Sequence, residues 1–69
     1  MEKVHIIRRK HVTTFKVRSV PFRFVVVFND DISKHGPVKA IRNMAQSAMD
    51  NGHDLVANHR TIIADMLDA

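Results

Sequence analysis

Between residues 22 and 28 the chain reads FRFVVVF, which holds three of its four phenylalanines and its longest unbroken apolar run, Phe24 to Phe28. Aromatic and β-branched residues favour a pleated, packed surface, and successive side chains of a strand point to opposite faces. Phe22, Phe24, Val26 and Phe28 therefore share one face, and Arg23, Val25 and Val27 share the other. A strand apolar on one face and mostly apolar on the second has the composition of an aggregating segment, so it cannot stand bare at a sheet edge. It is expected either to be a central strand or to meet a partner.

Upstream, the pattern predicts strands over residues 3–8 and 12–20, separated by Arg9-Lys10-His11 with no glycine, proline or asparagine to mark a tight turn. In the second strand Phe15 and Val17 point one way while Thr14, Lys16 and Arg18 point the other, which predicts half-burial. Pro21 lacks a backbone donor and suits the short connection to the third strand, residues 22–28. Asn29 to Gly36 reads as a loop rich in residues that cap their own backbone.

From Pro37 onward the period changes. Val38, Ile41, Ala45 and Ala48, with Met44 and Met49, recur at helical spacing up to the Asn51-Gly52 stop, predicting a helix over 37–50. A second helix over 54–67 opens on Asp54, whose carboxylate suits the helix dipole. Its apolar residues Leu55, Val56, Ile62, Ile63, Met66 and Leu67 form a stripe wide enough for two neighbours. The predicted fold is α+β, a three-stranded antiparallel sheet followed by a helical hairpin that covers its phenylalanine face.

With 69 residues the chain is expected to be one domain burying only about 60% of its unfolded surface, a marginal core. It has no cysteine, which removes disulfides, a thiolate nucleophile and cysteine-ligated zinc, and leaves self-association as a way to gain buried area. A cytoplasmic homodimer is the economical expectation. Neither a spanning helix nor a secretory signal is expected, since the longest apolar run lies inside a strand and the opening MEKVHIIRRKH is too short and too charged for a signal peptide.

Charge divides unevenly. Up to Arg23, seven lysines and arginines stand against Glu2 alone, for a net +6; from Phe24 on, four stand against six aspartates, for −2. Such asymmetry bears on partners and solubility. Arg8, Arg9, Lys10, Lys16, Arg18 and Arg23 could neutralise phosphates, and Arg8, Lys10, Lys16 and Arg18 lie on one alternation phase that a hairpin of suitable register would gather on one surface. Phe15 lies on the opposite phase, and the chain has no tyrosine or tryptophan to stack on bases.

The chain resembles three nucleic-acid-binding architectures in part. Ala48 followed four residues later by Gly52 is similar to the turn of helix-turn-helix proteins, but Asn58 stands where that family takes an apolar residue. The strand-helix-helix order resembles ribbon-helix-helix repressors, whose strand however offers polar side chains where this one offers Arg23, Val25 and Val27. Ser33-Lys34 and Lys39-Ala40 resemble the lysine-opened helix of double-stranded-RNA-binding domains, without that family's first helix or adjacent lysines. None of the three patterns is met.

His5, His11, His35, His53 and His59 show no close paired ligand spacing, and His59 falls within the apolar stripe, as a core or interface histidine would. Asp30-Asp31 before a helix reads as turn and cap rather than as a nuclease metal pair. No nucleophile constellation or phosphate-cradling glycine loop is present, so neither catalysis, a cofactor nor a small-molecule substrate is expected. Two functional classes remain. One is a nucleic-acid-binding regulator, with DNA ahead of RNA, contacting phosphates through its N-terminal strands. The other is an inhibitor or adaptor that docks its basic hairpin or last helix on a protein, an acidic surface suiting the hairpin. Val25, Val27, Val56, His59, Ile63 and Leu67 are the candidate dimer or partner interface.

Overall fold

A computed structural model describes residues 3–20 and 22–69; the placing of Pro21 and the charge of Glu2 lie outside them. Three strands, β1 (Val4–Arg8), β2 (Val12–Val17) and β3 (Phe24–Phe28), precede three helices, α1 (Asn29–His35), α2 (Pro37–Asp50) and α3 (Asp54–Asp68). The sheet is antiparallel in the order β1-β2-β3, and α2 and α3 pack on each other and against the sheet, the α+β arrangement expected. The molecule measures 30 × 29 × 20 Å, and its short dimension suits one sheet beneath one helical layer.

Register decides which face each strand turns inward. β2 pairs with β3 as Thr13 with Val27, Phe15 with Val25 and Lys16 with Phe24, so odd positions share a face and even positions share the other. The inner face carries Phe15, Val17, Val25 and Val27, and there α2 and α3 deliver Ala40, Ile41, Ile63 and Ala64. The helices thus cover the valine face, not the phenylalanine face that residue size alone suggests. Lys16 enforces this: its charge belongs in water, and the register ties Phe24 to the same side. β3 is accordingly an edge strand, not a central one.

The helical pair closes through small side chains. Ala40, Ala45 and Ala48 of α2 and Ala57 and Ala64 of α3 are all buried, whereas Met49, Leu55 and Val56 of the predicted stripes are exposed. Gly52, at φ 76°, ends α2, with the His53 N–H donating to Ala48 O at 2.8 Å and the Gly52 N–H to Met49 O at 3.0 Å.

The segment read as a loop after Phe28 is instead a short helix, α1, with Asp30 and Asp31 in its first turn and Lys34 and His35 in its last, both favourable to the helix dipole. It was illegible because a helix of seven residues with one large apolar residue, Ile32, has no periodicity to read. Gly36, at φ 80° and ψ 159°, breaks α1 from α2 in a region of backbone space that is essentially reserved for glycine.

Candidate functional site

Asn29 organises the tip of the sheet. The Arg9 N–H donates to Val12 O at 2.9 Å, which leaves Lys10-His11 as a two-residue turn. No described non-glycine residue has a positive φ, so this is not one of the primed turns that two-residue hairpins prefer. Its carbonyls are satisfied from outside: Asn29 Nδ2 donates to Arg9 O at 2.9 Å and to Lys10 O at 3.3 Å, and the Asn29 N–H donates to His11 O at 2.9 Å. Asn29 Oδ1 in turn accepts from the buried Thr13 hydroxyl at 2.6 Å. The first residue after β3 thereby holds Arg9 and Lys10, both exposed, next to Phe28.

The outer face of the sheet follows from the register. One row holds His5, Lys16 and Phe24, the next Ile7, Thr14 and Val26, and the last Val12 and Phe28. Phe22, Phe24, Val26 and Phe28 are 78%, 53%, 41% and 66% exposed, against 2% and 0% for Val25 and Val27. Single exposed apolar residues are ordinary; an aromatic column along one strand is not. From Lys3 to Phe28 the chain carries no acidic residue. Among the described residues, the ion pairs lie on the helices, where Arg42 meets Asp65 at 2.9 Å and Asp68 at 3.5 Å.

The cations expected to act together are divided. In the β1–β2 register Arg8 pairs with Thr13 and His5 with Lys16, which puts Arg8 on the inner phase and Lys16 on the outer. The two-residue turn inverts parity between these strands, so the surface expected to gather Arg8 with Lys16 does not form. Arg8 lies at the sheet's rim, where with Arg9 it lines a cleft of about 370 Å³ walled by Ile6, Phe15, Ile32 and Leu67. Arg18 is exposed beyond β2, near His5 and Lys16. Arg23 shares the phase of Val25 and is half-buried, its Nε buried without a hydrogen-bond partner among the described residues.

The expected interface set divides likewise. Val25, Val27 and Ile63 are consumed by the core, and Leu67 is half-buried against it. Val56 and His59 line a groove of about 330 Å³ between α3 and β3, with Phe22, Phe24, Val26 and Arg60. His59 Nδ1 lies 3.2 Å from Phe22 O, and Arg60 Nη1 donates to Met44 O at 2.9 Å, so both side chains have structural partners. Sequence reasoning missed the exposed phenylalanines as surface. The signal was Lys16 between Phe15 and Val17, which marks the polar side of β2, but the parity that joins it to β3 depends on the connection at 18–23.

No helix among the described residues is long and apolar enough to cross a membrane. No protein-family model matches the chain, and comparison with curated proteins and with solved structures finds no match.

Proposed function

We propose that this chain is a small, non-enzymatic regulatory protein that binds nucleic acid through the cations of its N-terminal strands. The observation that carries this reading is the unanswered charge of the sheet: Arg9, Lys10, Lys16 and Arg18 are exposed, no acidic residue lies between Lys3 and Phe28, and none of the four is in an ion pair among the described residues. Cations held on a rigid sheet neutralise phosphates and release counterions, the main source of affinity and of its salt dependence. Arg9 and Lys10 at one end and Lys16 and Arg18 at the other bracket the outer face, so a polyanion would lie across it.

A mobility shift with labelled oligonucleotide tests the proposal. Binding should weaken steeply between about 50 and 200 mM salt, and Arg9→Glu with Lys10→Glu should remove most of it while the fold is retained. An unaltered shift in that double variant would take the turn out of the interface.

The groove between α3 and β3 favours a second reading, a protein-binding adaptor, because Val56 is exposed beside Phe22 and Phe24. Capture from a lysate with and without nuclease separates the two: partners lost on nuclease treatment belong to the first reading, and those retained to the second.

A further inference from the structure

We infer that the outer face of the sheet is a stacking platform for unpaired bases, so that the nucleic acid bound is single-stranded; this rests on the nucleic-acid reading above. Three observations converge on it. Phe24 and Phe28 stand on one face of one strand, four residues apart, which at strand rise puts them about 13 Å from each other with Val26 between. Both rings are largely in water although the chain has a helical layer that could have covered them. Cations sit at both ends of this column: Lys16 is the cross-strand neighbour of Phe24 with His5 beyond it, and the Arg9-Lys10 turn is tied by Asn29 to the Phe28 end.

That composition selects among occupants. In a duplex each base already has its faces covered by its neighbours, so exposed phenyl rings gain nothing there, and cations alone would do the binding. Unpaired bases offer open π-faces, and stacking on an aromatic side chain is tolerant of sequence while basic residues track the backbone. A second copy of this chain is a poor fit to the same surface. Face-to-face packing would set Lys16, Arg18 and the Arg9-Lys10 turn against their own copies, with no carboxylate on the sheet to answer them. Asp31 lies on the helical side, lining a shallow groove with Ala40 and Ser47 of α2.

Fluorescence titration of the full chain tests this. The probes are labelled oligothymidylate and oligouridylate of about 12 nucleotides and a duplex of equal length; the two single strands report whether the sugar matters. Single strand is expected to bind at least about tenfold more tightly than duplex, and Phe24→Ala and Phe28→Ala each to weaken it by about tenfold or more, without loss of the cooperative melt. The chain has no tryptophan. A Phe28→Trp variant therefore carries a single emission signal, which single strand should quench and duplex should not. Equal affinity for duplex, with alanine variants that bind as well as the parent, would overturn the stacking platform while leaving phosphate binding through the cations intact. Failure of every oligonucleotide to bind at low salt would overturn the nucleic-acid reading itself. A dimer in sedimentation velocity that Phe24→Ala and Phe28→Ala dissociate would assign the face to a second copy and overturn the inference.

Discussion

Asn29 shows how one side chain can supply what a turn lacks. The Arg9-Lys10-His11 connection has no residue suited to reversing a chain, and the donors that satisfy its carbonyls come from 18 or more residues away. Asn29→Ala would leave two turn carbonyls and the Thr13 hydroxyl without these partners, and should cost about 1–3 kcal/mol, seen as a Tm lower by roughly 5–15 °C. A change within error would mean that water replaces the asparagine amide. The two glycines are not equivalent either. No atom lies within 4 Å of a Cβ built at Gly36 or Gly52, so conformation alone decides the cost of a side chain. Gly36 occupies a region other residues hardly reach and Gly52 takes the helix-capping role, so Gly36→Ala should destabilise by about 1–3 kcal/mol and by more than Gly52→Ala. Equal denaturant midpoints for the two variants would contradict this. His59→Leu should change stability by less than about 1.5 kcal/mol, because among the described residues the half-buried ring makes a single hydrogen bond, to Phe22 O.

At the scale of elements, the inversion of β3 is the main finding, and it is directly measurable. Val27 is fully buried and Val27→Ala should cost about 2 kcal/mol in chemical denaturation, through lost burial and a residual cavity. Phe28→Ala, although it removes a far larger side chain, should move stability by no more than about 0.5 kcal/mol, as exposed substitutions do. Were Phe28→Ala the more damaging, the helices would have to lie on the phenylalanine face. The two long helices were legible because Pro37, Gly52 and Asp54 punctuate them and their apolar periods are sustained. Their contact was less so: Ala45 and Ala48 of the α2 stripe are buried but Met49 is exposed, and a stripe drawn from the large residues of α3 points at Leu55 and Val56, which are exposed, and passes over Ala57 and Ala64, which are buried.

For the whole molecule, charge and shape separate. All six aspartates sit on the helices, whereas no acidic residue lies between Lys3 and Phe28, so the molecule has a polar axis running through its two layers. If the sheet is the binding surface, the dependence of affinity on salt should lose about 0.7 from its logarithmic slope for each of Arg9, Lys10 and Lys16 replaced by alanine, when single-stranded probes are titrated. Arg42→Ala is the matched control. It breaks two exposed ion pairs with Asp65 and Asp68 on the helical side, should cost less than about 1 kcal/mol, and should leave that slope unchanged. A slope that responds to Arg42 and not to Lys16 would move the interface to the helices.

Local rules set the α+β class, the order of the strands and of the two long helices, the limits of α2 and the cationic front of the chain, because each depends on residues adjacent in sequence: alternation, a proline at a helix start, a glycine at its end, a run of like charge. Tertiary structure decided which face of each strand is inside. That is a matter of parity, passed from β2 to its neighbours by one two-residue turn and one six-residue connection, and a shift of a single residue in either would exchange buried and exposed side chains along a whole strand. Through that parity alone Val25 and Val27 became core, Arg8 parted from Lys16, and the phenylalanines were left facing water beside a lysine.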